Sequence, residues 1–415
     1  SLILDTDVEI AQIKLGAGTG DVAVTSSNGS TLTLSGINVT QPIQNNRADT
    51  DLNLDLKVVF NSTEAVETIQ ASAAGDCSIT FGTSSDVTVN VPTKLMAQAD
   101  RKINFNGILR NTGTGQLQVG AASEVVFGSG SDNSNYTEDI KFLGNNGLVT
   151  SNTADDGTFI TSGKGIVINE AKGYGHIVNI NGKNTFGGNI SVKDTALTVN
   201  VNADQASAGV ITMGAGNLNL TLGNNVSSLA FADNSSSDWG TGSIVVTGYK
   251  EDVIGFGNSN SGITKAQLAQ IDVGSTALKV SSAGKLGSYD IANEKLIITG
   301  VLDGDLSGGY PKVIELYAET DIWDLTKYGI DVASNGKAST KPDYYLQSGS
   351  LAAGSSYMIG RKSGAGNGGY DDWFGEAADM YTNGNTMNGD DAIALYKITS
   401  SDTVNIDVAV PVVSP

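Results

Sequence analysis

Apolar and polar residues alternate with a period of two along most of the chain. Leu32 and Leu34 are framed by Thr31, Thr33 and Ser35; Leu52, Leu54 and Leu56 alternate with Asn53 and Asp55, and Val58 and Phe60 carry the pattern on. Successive side chains of a strand point to opposite faces, so this pattern predicts strands with one face buried and one wet. Cys77, Ile79 and Phe81 share one face of the next predicted strand, and Val87, Val89 and Val91 one face of the strand after it. Ile103-Asn104-Phe105, Gln116 to Val119 and Glu124 to Phe127 continue the series, punctuated by Gly107, Gly113, Gly115, Gly120 and Gly128. Strand starts recur about every 8 to 12 residues, an interval shared by sandwiches, barrels and solenoids. Ser62 to Gln70 is expected as a short helical turn, and Ser129 to Tyr136 and Asn152 to Asp156 as polar loops.

The pattern is clearest from Lys164 to Gly257. Three short alternating strands, Ile177 to Ile180, Asn189 to Val192 and Ala196 to Val201, are separated by Gly, Asn and Asp clusters suited to turns. Strands this short bury little alone and become stable when similar coils stack above and below them. Asn184-Thr185-Phe186-Gly187-Gly188, followed by Ile190, Val192, Leu197 and Val199, resembles the passenger repeat of bacterial autotransporters and related surface adhesins. That resemblance implies a right-handed β-solenoid with coils of about 20 to 25 residues. It also implies structural roles for Gly187 and Gly188 in the turn and for Phe186, stacked on equivalents in adjoining coils. One helix is expected over Ile263 to Ile271. Thr264 is its N-cap, and Gln267, three residues on, completes a capping box. Ile254 to Gly257 with Leu268 to Ile271 resembles the end of solenoid passengers in secreted bacterial proteins, where a helix would cover the last open edge.

Residues 1–290 are thus expected to form the solenoid, and a second domain to run over 295–415. Its ordered motifs are Pro311-Lys312-Val313-Ile314-Glu315-Leu316-Tyr317, Asp324-Leu325-Thr326-Lys327-Tyr328-Gly329 and Asn388-Gly389-Asp390-Asp391-Ala392-Ile393. These resemble the bacterial lamin-tail domain, an immunoglobulin-like β-sandwich, and the resemblance gives Glu315 and Asp324 structural positions. Asn405 to Val408 matches a late strand of that family, after which Pro411 and the terminus follow, so the last strand of the sandwich is expected to be missing or supplied by another chain. The fold class is therefore all-β: a solenoid followed by a sandwich.

Composition narrows the function. The 44 acidic and 24 basic residues give a net charge of −20, which disfavours nucleic acid and anionic membrane surfaces as partners. One cysteine, Cys77, and one histidine, His176, exclude a disulfide framework or a Cys/His zinc site within one chain. Cys77 is expected as a small core residue and His176 as a solvent-facing structural one. No run of 18 apolar residues is present, so no membrane-spanning helix is expected. The start at Ser1, without a basic-then-apolar leader, predicts a processed N-terminus. Low Cys, His and Met with an acidic isoelectric point also resembles bacterial and archaeal S-layer proteins. Asn38, Asn61 and Asn219 head Asn-x-Ser/Thr triplets, which a chain this rich in Asn, Ser and Thr forms by chance.

Chemistry is sparse. Asp155-Asp156, Asp371-Asp372 and Asp390-Asp391 are sequence pairs, but neighbours in a strand face opposite ways and so do not converge as a catalytic pair. Asp371, Asp372, Asp390 and Asp391 are better suited to calcium, the one cofactor that oxygen-rich turns would favour. Trp239, Trp323 and Trp373 are potential sugar platforms, with Trp323 and Trp373 expected in the sandwich core. A polysaccharide-degrading β-helix would need converging carboxylates or a basic residue beside them; only Arg101, next to Asp100, approaches that. The expectation is a secreted, non-enzymatic bacterial surface protein, structural or adhesive, that assembles with itself into a filament, sheath or lattice and that has surface glycans as its other candidate partner. The alternative is a secreted polysaccharide-binding or polysaccharide-degrading β-helix protein with an attached binding domain.

Overall fold

Strands of three to five residues follow one another around a coil, and each finds its hydrogen-bond partners one coil earlier and one coil later. This is seen in a computed structural model, which describes all residues except 17, 36–40, 63–65, 72–75, 98–100, 169–174, 275–277, 307–309, 363–368, 383–390, 399–402 and 410–415. The chain divides into two units, Ser1–Ser288 and Tyr289–Pro415.

The first unit is a β-solenoid. Its first face is a sheet of twelve strands running in coil order from Leu2–Leu4 to Ile271–Asp272. The second face has six strands, from Val8–Ile10 to Asp132–Asn135, and the third has nine, from Ile13–Leu15 to Ile211–Met213. All of their pairings are parallel, and on the first face the alternation stays in register from coil to coil; the second face shifts register at its last pairing, between Ile108–Asn111 and Asp132–Asn135. Leu52, Ile79, Ile103, Val125, Val149, Val178, Val199, Leu220 and Val246 lie directly above one another, all buried. A one-residue slip would turn such a column out to solvent, so burial itself fixes the register. The coils are less uniform than the expected 20 to 25 residues. Val178 pairs with Val149, 29 positions earlier, and with Val199, 21 positions later, the difference being taken up at the corners.

Phenylalanines form a second column. Phe60, Phe81, Phe105, Phe127, Phe159 and Phe186 follow one another with ring centroids 6.2, 4.9, 5.5, 5.2 and 6.4 Å apart. Phe186 therefore packs on a neighbouring coil's aromatic as expected, and it ends this run. Gly188 is required by close approach: a Cβ there would lie 2.2 Å from Ile160 Cγ2 and 2.6 Å from the Lys164 carbonyl oxygen. Gly187 is less constrained, its nearest contacts being 3.4 Å.

The two ends of the solenoid differ. At one, α1 (Lys265–Ala269) is capped as the sequence predicts: Thr264 Oγ1 accepts from Gln267 N at 3.2 Å, and Gln267 Oε1 accepts from Thr264 N at 2.7 Å. Gln267 Nε2 also donates to the carbonyls of Asn234 (2.7 Å) and Ser237 (2.9 Å), tying the helix to the coil beneath it. A hairpin of Leu278–Val280 and Leu286–Ser288 follows. At the other end, Leu2–Leu4, Val8–Ile10 and Ile13–Leu15 are each the last strand of their sheet, and Leu2 and Ile3 are 56% and 60% exposed.

Four expectations are corrected. Ser129 to Tyr136 is not a loop throughout, because Asp132–Asn135 pairs as the last strand of the second face. Residues 62–70 hold no helix among those described; Glu67–Ala71 is a strand of the third face, paired with Thr93–Ala97. Coil register overrides the modest helix propensity of that stretch. His176 is buried rather than solvent-facing: it begins the strand His176–Ile180, while Ile177 points outward. Its ring packs 4.8 Å from that of Phe142, and its Nδ1 accepts from Gly147 N at 3.1 Å. Trp373 is 53% exposed and not in the core. It sits on a second helix, α2 (Tyr370–Phe374), which the sequence pattern did not predict. Cys77 is buried, as expected.

The second unit is built from two four-stranded sheets, consistent with a β-sandwich. One orders Leu296–Leu306, Tyr310–Ala318, Ser356–Gly360 and Met380–Tyr381; the other orders Tyr344–Tyr345, Tyr328–Ala333, Ala392–Ile398 and Thr403–Ala409. All pairings are antiparallel except Ile359 with Met380. Leu296, Ile314, Leu316, Tyr328, Ile330, Ile359, Ile393 and Leu395 form its core. Thr403–Ala409, which contains the late strand expected at Asn405 to Val408, is an edge strand with a bulge, and Val404, Ile406 and Val408 along it are exposed.

Candidate functional site

Most polar side chains buried in the first unit serve its own backbone. Asn45, wholly buried, donates to the carbonyls of Thr50 (2.8 Å) and Ser78 (3.0 Å). Gln205 donates to the Gly182 carbonyl at 2.8 Å and accepts from the backbone of Thr185 and Phe186 at 3.1 and 3.0 Å. Such groups satisfy the corners of the coils and leave no reactive pair.

A cleft of about 570 Å³ opens on the first face, lined by Asp51, Asp76, Cys77, Ser78, Lys102, Asn104 and Glu124. Lys102 Nζ pairs with Glu124 Oε1 at 3.0 Å, and Asp51 Oδ1 accepts from the backbone N and Oγ of Ser78 at 2.9 and 2.8 Å. These groups neutralise or occupy one another. Asp100, the carboxylate considered for a degrading site, lies outside the described residues. Arg101 immediately precedes the strand Lys102–Phe105.

In the second unit the buried polar groups form an ionic cluster. Glu294 Oε1 accepts from Trp323 N at 2.7 Å, and its Oε2 accepts from the Tyr328 hydroxyl at 2.8 Å. Lys397 Nζ donates to the carbonyls of Ile291 (2.5 Å) and Glu294 (2.6 Å) and lies 5.8 Å from the Tyr328 ring centre. Burial pushes the Glu294 carboxyl above its ordinary range and the Lys397 ammonium below its own. Burial also raises Asp331, with Asp343 close by adding to the effect. Glu294 and Lys397 anchor the turn at residues 289–294 to the adjacent strands Tyr328–Ala333 and Ala392–Ile398, and these groups present no open substrate position.

The residues singled out from the sequence fall into this scaffold. Asp324 caps the turn Leu325–Lys327, accepting from Thr326 N at 3.0 Å and from its Oγ1 at 2.6 Å. Glu315 Oε1 accepts from Ser356 Oγ on the adjacent strand at 2.8 Å. Asp371 and Asp372 both belong to α2: the Tyr381 hydroxyl donates to Asp371 Oδ1, and Gly369 N donates to Asp372 Oδ2 at 2.8 Å. Asp391 is buried and accepts from Asn335 N at 2.7 Å. Asp390 lies outside the described residues. Each described carboxylate considered for calcium thus binds a local donor, and among the described residues no three His, Cys, Asp or Glu side chains lie together as a metal cage.

Sequence pattern did not single out Glu294, Asp331, Lys397 or Glu67. For Glu67 a signal existed: it shares strand parity with Ile69 and Ala71, so it must point inward with them. No protein-family model matches the chain, and no curated protein and no solved structure matches it either. Among the described residues no helix is long and apolar enough to cross a membrane.

Proposed function

We propose that this chain is a bacterial extracellular surface protein, structural or adhesive and not an enzyme, that assembles with itself through an exposed sheet edge. The observation that carries this is the strand Thr403–Ala409, which stands last in its sheet among the described strands with Val404, Ile406 and Val408 exposed along it. Edge strands offer unpaired N–H and C=O groups that a further strand can satisfy, and contacts that do not close on themselves build filaments or lattices. The autotransporter-like turn at Asn184 to Gly188 and the lamin-tail-like motifs of residues 295–415 support a surface location. The net charge of −20 opposes assembly at low ionic strength. Sedimentation of the intact protein is expected to show large species as salt or calcium is raised, and the double substitution Ile406→Lys, Val408→Lys on the edge strand is expected to abolish them. Monomers throughout for both proteins would refute the proposal.

A second reading, binding of a neutral polysaccharide, is favoured by Trp373 and Phe374, adjacent aromatics exposed on α2. Tyr370, buried and stacked 4.6 Å from Phe374, fixes that helix in place. Nearby Asp371 and Asp372 suit sugar hydroxyls rather than an anionic surface. Quenching of Trp373 fluorescence by neutral oligosaccharides, lost in Trp373→Ala, is the outcome this reading requires.

A further inference from the structure

We propose that Glu67 is a proton-dependent latch in the solenoid core: uncharged, it completes the packing of the coil Leu52–Ala71, and ionised, it loosens that coil. The inference starts from position. Glu67 opens the strand Glu67–Ala71 on its inward parity and pairs with Thr93 of the next coil. In the coils beyond, the same inward register position is held by Leu117, Ile140, Ile166, Ile190 and Ile211. A carboxyl group thus stands where five later coils place aliphatic side chains.

Glu67 is fully buried, at 0% exposure, and neither carboxylate oxygen has a partner at full hydrogen-bond geometry; the one polar group near enough to act on it is the Ser62 hydroxyl. The charged residues on the strands around it occupy outward positions: Asp55 on Leu52–Asp55, Lys57 on Lys57–Phe60, Asp86 on Asp86–Val89 and Lys94 on Thr93–Ala97. The strand Ile43–Asn45, on the opposite side from Thr93, carries no ionisable group. Among the described residues no cation on these strands compensates a charge on Glu67, and an isolated buried carboxylate is costly enough that the group neutralises instead. Burial accordingly raises its carboxyl to about 7, the nearby Ser62 hydroxyl offsetting only part of the effect.

The direction of the pH dependence follows. A carboxyl raised in the folded state holds its proton more tightly there than in the open coil. Its contribution is therefore complete below the ordinary carboxylate range and is lost as pH rises through about 7. A shift of this size corresponds to an opening equilibrium that grows on the order of 100-fold between acid and mildly alkaline pH. Because each coil rests mainly on its neighbours, the loosening centres on this coil and fades along the solenoid.

Hydrogen exchange of the full chain, followed by mass spectrometry from pH 5 to 8.5 and corrected for intrinsic rates, tests the latch. In the wild type, opening of Glu67–Ala71 and Thr93–Ala97 is expected to rise with pH relative to the distant strand Leu218–Leu222. In Glu67→Gln, which keeps the shape and removes the titration, that rise is expected to vanish. Equal pH dependence in the two proteins overturns the proposal. If Glu67→Gln does not fold, the wild type decides alone: opening of Glu67–Ala71 that does not change with pH relative to Leu218–Leu222 overturns it.

Discussion

The two units bury charge in opposite ways. Among the described residues of Ser1–Ser288 the fully buried acidic or basic side chains reduce to Glu67, with His176 beside Phe142. In the much shorter second unit Glu294, Lys312, Asp331, Asp391 and Lys397 are all buried. The solenoid can dispense with buried ionic contacts because each apolar side chain meets a similar one directly above and below, and the columns of Ile79 and Phe105 repeat over many coils. The sandwich has no such repetition. Its interior is closed once, and the turn at residues 289–294 is held by a charge cluster whose members depend on one another. Stability should therefore be local and graded in the first unit, and cooperative in the second.

The comparison can be broken most forcefully at Phe105. It is buried in the centre of the phenylalanine column, with Phe81 stacked on one side and Phe127 on the other. Phe105→Ala is expected to cost about 3–5 kcal/mol. Hydrogen exchange should show the loss in the coils containing Phe81 and Phe127, with the second unit unchanged. Protection lost equally throughout the chain would show that the solenoid does not behave as a stack of neighbours.

Lys397→Met probes the other side. It removes the donors to the Ile291 and Glu294 carbonyls and leaves the Glu294 carboxyl without its nearby cation. Removing one partner of a buried ionic group typically costs about 3–5 kcal/mol, and some of this is offset here by the methionine's packing, so an effect of roughly 2–4 kcal/mol is expected. Calorimetry should show one transition moving as a whole, while the solenoid's transition stays in place. The smallest effect is expected at the covered end. Thr264→Ala removes one half of the capping box and should cost about 1 kcal/mol. Its exchange signature should be confined to residues 264–272.

Legibility in the sequence follows the same division. The coil strands were readable because inward and outward positions alternate, and His176–Ile180, Asn189–Val192 and Leu197–Val201 lie almost where the pattern set them. The capping box was readable because it is local chemistry between Thr264 and Gln267. Contacts that depend on how one coil sits on another were not. Phe127 is followed in its own strand register by Ser151, so the aromatic column passes to Phe159 at a corner, which no fixed spacing announces. Polarity alone puts His176 outside, whereas its parity with Val178 and Ile180 puts it inside. From Ser62 to Gln70 local preference and coil register point different ways, and the register prevails. In the second unit Glu294, Lys397 and Tyr328 are distant in sequence and carry no shared motif. The helix Tyr370–Phe374 is too short for periodicity to disclose it, so the exposure of Trp373 is not legible either.

The unbroken register of the first face has a consequence for how such a chain can change length. Leu197 to Val201 lie residue for residue over Leu218 to Leu222, and His176 to Ile180 over Leu197 to Val201. Excising one intervening coil would bring the flanking strands together with every inward residue still inward. The solenoid is in this sense measured in whole coils: duplication or loss of one alters its span by a single interstrand step of about 4.8 Å and leaves the coils on either side as they were.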